Sequence, residues 1–321
     1  MLNQTEKKIV YLESETLRYM FYTYTGERIY PVMKKLYTIL NDGFMKDWLV
    51  VPLSIDQVLP YIKENKVETA FLAMMGGIGQ VQFHQRFTMK TLQLIRILNH
   101  FFDNSYSKPL WRDAFTSDPD EKFRKGFNRY TSISAQNVIQ TVSREKNCSQ
   151  VFEFIKNFKS GNAIEKIAAR HFRTIWDQFP DLIRPFLPTV GAPETHLNKF
   201  LDNEDIRDIP EFHIMATVLY PMVDAYGFER IEHGLQDEEL LAAESISAYL
   251  PYCHYYVTKV DIAEILTMSD VQETYSVRVY DNNESSLFKL IYELTEEYRN
   301  DLSRKELQSR KTIFQKGGTK L

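Results

Sequence analysis

Only two cysteines occur in 321 residues, Cys148 and Cys253. They lie far apart and form no CxxC pair, which leaves no cysteine-built zinc site and fits a reducing cytoplasm. Glycine and proline are scarce as well, at 12 each, as suits a helix-rich chain with few tight turns. No run of about 18 apolar residues is present, so no segment reads as a membrane-spanning helix. The opening MLNQTEKKIVYL lacks the apolar core and cleavage site of a signal peptide. Positive charge is not in excess: 39 Lys and Arg face 43 Asp and Glu, a net charge of −4. That balance excludes a general polyanion binder but leaves room for a local basic groove. Arg124, Lys125 and Arg129 are one candidate, but Asp118, Asp120 and Glu121 dilute them, and the stretch reads as a solvated helix face.

What the chain does have is apolar and aromatic residues, 44% and 13%. These suffice for a sizeable core and argue against disorder. Residues 8–12, KIVYL, have the short β-branched pattern of a buried parallel strand. Ser14 is placed to cap the helix after it. A second helix is expected from about Arg28 to Leu40, stopped by Asn41-Asp42-Gly43. WLVVP at 48–52 reads as a second buried strand, with Ser54 capping the helix that follows. This order implies a parallel sheet with helical crossovers.

Between about 66 and 200 every apolar run has helical spacing, so this part reads as a helical insertion. The last third returns to α/β. Helices are expected at 210–228 and from about Gln236 to Leu250, then a strand HYYVT (254–258) and the helix VDIAEILTM. A strand TYSVRVY (274–280) and a long final helix follow, and residues 303–321 form a basic, loosely held tail.

Two segments carry a family likeness. YLESETL (11–17) resembles the opening of PIN-like nuclease domains, where a first strand ends in a metal-binding Asp followed by a helix. ISAYLPYCHYYVTKVDIAEIL (246–266) resembles the block in which a helix leads into LPYCD, a short strand, a Thr-Asp pair and another helix. DIPEFHIMATVL (208–219) fits the helix preceding that block. The resemblance implies an α/β fold with a parallel PIN-like (Rossmann-like) sheet, split into 1–65 and 201–302 around the insertion. It also implies Mg²⁺ or Mn²⁺ held by carboxylates at the carboxyl ends of the strands, where open α/β sheets bind ligands.

The chain departs from that pattern at most acidic positions. Glu13 stands for the first Asp. The remaining acid positions fall on Pro60, Ala242, His254 and Lys259. A lysine about 5 Å from a dication costs roughly 6–7 kcal/mol at an effective dielectric of about 20, before screening. Lys259 therefore either pairs with Glu13 or offers a fixed positive charge to a phosphate.

The leading expectation is a degenerate PIN-like protein without the ancestral nuclease activity, acting by binding RNA or a protein partner, with no cofactor. The first alternative is an active nuclease with Mg²⁺ or Mn²⁺ on a rearranged site of Glu13, Glu15, Asp237 and His254, the metal on Glu13 and Asp237. The second is a structural or oligomerisation module. Gly76-Gly77-Ile78-Gly79 lacks the Lys-Ser/Thr and preceding strand of a phosphate loop, and reads as a helix break or close packing.

Overall fold

The computed structural model describes residues 7–54, 65–79 and 237–317, with positions 57, 61, 89, 92, 93, 114, 210, 213, 214, 217 and 218. The expected insertion at 66–200 lies almost wholly outside the described residues. Its first residues fall in a helix, Asn65–Gly76.

Among the described residues the chain is helix-rich α/β with four parallel strands. β1 (Lys8–Leu12) leads into α1 (Ser14–Thr25), α2 (Pro31–Met45), β2 (Leu49–Val50) and α3 (Asn65–Gly76). The later half supplies α4 (Asp237–Tyr249), a 3₁₀ turn (Leu250–Tyr252), β3 (Tyr255–Thr258), α5 (Val260–Met268), α6 (Val271–Tyr275), β4 (Arg278–Asp281) and α7 (Glu284–Gly317). Strand order is β2-β1-β3-β4. β1 pairs Ile9 with Val50 on one side and Val10, Tyr11 and Leu12 with Tyr255, Tyr256 and Val257 on the other.

The pleat sends successive side chains to opposite faces. Tyr11 and Tyr256 stack at 4.9 Å on the face where Tyr11 also stacks on Tyr249 of α4, at 5.6 Å. Tyr280 faces α7 and hydrogen-bonds Glu293 at 2.6 Å. α7 packs on α2 and β4. Ile9, Val10, Leu12, Val50 and Val257 are wholly buried, as expected of strands covered on both faces.

Several local expectations are corrected. Glu13, not Ser14, is the N-cap of α1, because its backbone stays extended and its N–H continues the ladder to the Val257 carbonyl. Helix α2 runs through Asn41-Asp42-Gly43 to Met45. Gly43 is needed there for close approach, since a Cβ would come within 2.6 Å of the Leu49 side chain. The expected strand at 274–280 shortens to 278–281. Residues 271–275 are helical instead, and Ser276 turns the chain at φ 54°. The helix at the C-terminus extends to Gly317, well into the segment expected to be loosely held. WLVVP contributes only Leu49 and Val50 to the sheet.

β4 has no strand on its outer side among the described residues, yet its outward amides are not open. Gln272 accepts from the Val279 N–H at 2.9 Å, and Ser286 from the Asp281 N–H at 3.1 Å. Side-chain caps of this kind block edge-to-edge pairing.

The glycine run is a packing device. Ile78 accepts from the Val51 N–H, and a Cβ at Gly79 would run into the Val51 carbonyl. Gly79→Ala is expected to destabilise the protein by about 1–3 kcal/mol through overpacking, read as a lower urea midpoint. An unchanged midpoint would remove that contact from the fold.

Candidate functional site

In a parallel sheet the chain leaves β1 towards one neighbour and β3 lies on the other side. This divergence opens a crevice at the carboxyl ends of β1 and β3. Glu13 follows β1 there, Thr258 ends β3, and Lys259 follows it. The carboxyl end of β4, with Asp281 and Asn282, continues the same edge, Asp281 standing opposite Thr258.

Glu13 is partly open to solvent, but protein surrounds it densely. That desolvation raises its pKa from 4.5 to about 7, against the opposing influence of Thr258, Tyr256 and the charge and amide of Lys259. The Tyr256 hydroxyl donates to it at 3.3 Å. The buried Thr258 hydroxyl lies against the same carboxyl and favours its charged form. Lys259 is exposed at the N-cap of α5 and forms no ion pair within 4 Å among the described residues. The expected Glu13–Lys259 salt bridge is therefore not made: the lysine influences the carboxyl through space while its ammonium stays in water.

Glu15 reaches the same edge but is committed to packing. One oxygen accepts from Tyr19 at 3.0 Å and lies 3.5 Å from Arg18, and the other accepts from Asn282 at 3.2 Å. It thereby staples α1 to the turn after β4. Ser54 and Gln57 tie in the segment after β2. The Ser54 N–H donates to Gln57 Oε1, whose amide in turn donates to the Leu12 carbonyl, and Ser54 shares a 2.8 Å hydrogen bond with Tyr11.

The sequence-predicted group does not converge. His254 precedes β3, at the opposite end of the strand. Four residues at about 3.3 Å each place it about 13 Å from Thr258. There its Nδ1 accepts from the Ile9 N–H at 3.1 Å while its own backbone N–H donates to the Ile9 carbonyl. Burial, with Lys8 adding to it, lowers its pKa to about 4. It is a neutral cap on β1 and not part of the crevice. Asp237 opens α4, and its side chain lies outside the described residues, as does Pro60. Ala242 packs against the core. Cys253 is buried, its thiol pushed up by desolvation and donating to the Tyr249 carbonyl, which is a packing role.

Thr258, Asp281 and Asn282 do not stand out in the sequence. An acid closing the strand RVYD is the available signal, obscured because the apolar pattern ends that strand at Tyr280. His213, held at 3.0 Å by both Asp270 and Tyr275, also escapes sequence reasoning. It anchors residue 213 to α6, away from the crevice. A separate cleft of about 560 Å³ runs between β4 and α7, and neither Glu13, Thr258 nor Lys259 lines it. Within it Arg278 bonds Glu293 at 2.8 Å and Glu297 at 2.9 Å.

As they stand, the described side chains fit Mg²⁺ or Mn²⁺ poorly. Hard dications need several charged oxygens, whereas Glu13 is half protonated near neutrality, both Glu15 oxygens are engaged, and Lys259 adds positive charge. Among the described residues no three His, Cys, Asp or Glu side chains form a metal-binding group.

The two shifts act oppositely on stability. Glu13 holds a proton in the folded state that the unfolded chain has already released. Its favourable contribution is full below pH 4.5 and lost as pH rises through about 7. The expected loss is up to about 3 kcal/mol, absent in Glu13→Gln and checked by chemical unfolding across that range. His254 contributes above pH 6.5 and loses that contribution as pH falls through about 4. His254→Leu strands the Ile9 amide and is expected to cost about 1–3 kcal/mol at pH 7, with His254→Asn costing less.

No protein-family model matches the chain, and neither a curated protein nor a solved structure matches it.

Proposed function

We propose that the chain is a PIN-like protein that binds single-stranded RNA without metal catalysis, seating a phosphate at the carboxyl ends of β1 and β3. The observation that carries this reading is the buried Thr258 hydroxyl set against the Glu13 carboxyl beside Lys259. Beside it stand three groups able to donate to an anion. Glu13 in its neutral form has an O–H, Lys259 supplies a full positive charge, and the first amides of the nine-residue helix α5 point towards its N-terminus. A phosphodiester oxygen, which only accepts, complements all four.

The PIN-like part of the reading is supported by the resemblance of LPYC and its flanks, by the all-parallel order β2-β1-β3-β4, and by an acid directly after the first strand. Lys259 and the raised pKa of Glu13 favour binding over hydrolysis, because both weaken a dication site.

Anisotropy titration of a labelled single-stranded RNA in EDTA tests the proposal. Binding is expected, weakened about tenfold or more by Lys259→Glu. Affinity is expected to fall as pH rises through about 7, where Glu13 becomes an anion, and Glu13→Gln should flatten that dependence. Mn²⁺-dependent cleavage that disappears in Glu13→Gln would instead establish the nuclease alternative. Absence of RNA binding would turn the search to a protein partner.

A further inference from the structure

Cations lie against aromatic rings on three neighbouring elements. On α1 the Arg18 guanidinium sits over the Tyr19 ring, 5.8 Å from its centre. In the turn before α2, Arg28 donates to the Tyr30 hydroxyl at 3.5 Å, and the Tyr30 and Tyr19 rings meet at 5.2 Å. Where α2 packs on α7, the Lys35 ammonium lies over the Phe288 ring at 4.9 Å. Arg18, Arg28 and Lys35 are all exposed. A solvated cation reaches a ring only through a face that protein leaves uncovered, so Tyr19 and Phe288 each turn a face to solvent. Phe288 is 37% exposed, whereas Leu287 and Leu290 on the same helix are wholly buried. The ring is therefore not spent on the core.

Glu15 joins this group to the crevice. One of its oxygens accepts from the Tyr19 hydroxyl at 3.0 Å, and the other accepts at 3.2 Å from Asn282, which follows β4. Phe288 comes six residues after Asn282, and Lys35 five residues after Tyr30. The rings thus continue the edge on which Glu13, Thr258 and Lys259 stand. Charge on this side is positive. Residues 14–38 carry four cations, Arg18, Arg28, Lys34 and Lys35, against two acids, Glu15 and Glu27, in a chain of net charge −4. Arg18 reaches Glu15 at 3.5 Å. Arg28, Lys34 and Lys35 form no ion pair within 4 Å among the described residues. On α7, Glu284 lies exposed one turn before Phe288.

Basic side chains interleaved with open aromatic faces suit a single-stranded nucleic acid, whose bases stack on the rings while the cations meet its phosphates. We propose that Tyr19, Tyr30 and Phe288 form a stacking platform for the bases of the RNA whose phosphate sits at the Thr258–Lys259 subsite, with Arg18, Arg28 and Lys35 contacting the neighbouring phosphates. The platform rests on the RNA reading above and adds base contacts to it. The subsite meets backbone alone. Stacking needs unpaired bases, so the platform is what makes the protein prefer single strands to duplex.

The test is anisotropy titration of the full chain in EDTA with three labelled probes: a single-stranded RNA, a strand of the same length made abasic, and an RNA duplex. The parent protein is compared with Tyr30→Leu combined with Phe288→Leu, which keeps apolar bulk and removes the π-faces, and with Lys259→Glu. Circular dichroism and the urea midpoint check that the double variant is folded. Phe288→Leu alone, at an exposed position, carries the comparison if Tyr30→Leu disturbs α2. The parent is expected to bind the intact single strand at least tenfold more tightly than either other probe. The double variant is expected to lose about tenfold on the intact strand and to match the parent on the abasic one. Tyr30→Phe with Phe288→Tyr, which restores the rings, is expected to recover the loss. Parent-like binding of the intact strand by the double variant, with Lys259→Glu still damaging, overturns the platform and leaves the subsite. Equal losses on the intact and abasic strands also overturn it, because the rings then act without bases. No binding by the parent protein overturns both readings.

Discussion

The pairing of β1 with β3 is the constraint on which the remaining structure hangs. It joins Ile9 to His254 across 245 positions of sequence, and both partners are needed to bury either one. β1 alone has two sides to satisfy. β2 supplies only two residues on one side, so most of its ladder depends on β3. The pairing also brings Tyr11 against Tyr256, whose hydroxyl reaches Glu13. Closing so distant a contact is entropically costly, and dense burial of tyrosines and aliphatic residues on both faces of the central strands offsets it.

The same pairing creates the chemistry of the crevice. Glu13 is not unusual as a residue. It becomes so because β3 lies alongside, placing Tyr256, Thr258 and the start of α5 around one carboxyl and removing much of its water. Desolvation outweighs the donors that favour its charged form, and the net result is a group that titrates near neutrality. A half-protonated acid, a buried hydroxyl and an ammonium with no ion pair among the described residues stand together there. That set is a poor match to the several charged oxygens a metal site requires.

At the other end of the sheet polar groups are used up by the fold. His254 answers the backbone of β1, His213 is clamped by Asp270 and Tyr275, and Arg278 is shared between two glutamates of α7. Gln272 finishes the outer edge of β4 near its start.

Local pattern alone determined the strand at 8–12, the helix at 260–268, the α/β class and the parallel sheet, because apolar runs and their spacing are properties of neighbouring residues. It also marked Glu13 as the acid closing the first strand. It misjudged elements whose boundaries depend on distant packing. Helix α2 passes Gly43 because Leu49 needs the space, and the strand before Asp281 is short because Gln272 turns back to cap it. The role of His254 was out of reach for the same reason. Strand direction decides which end of the sheet a residue occupies, and only the docking of β3 against β1 set His254 beneath the sheet's amino edge and left Thr258 facing Glu13.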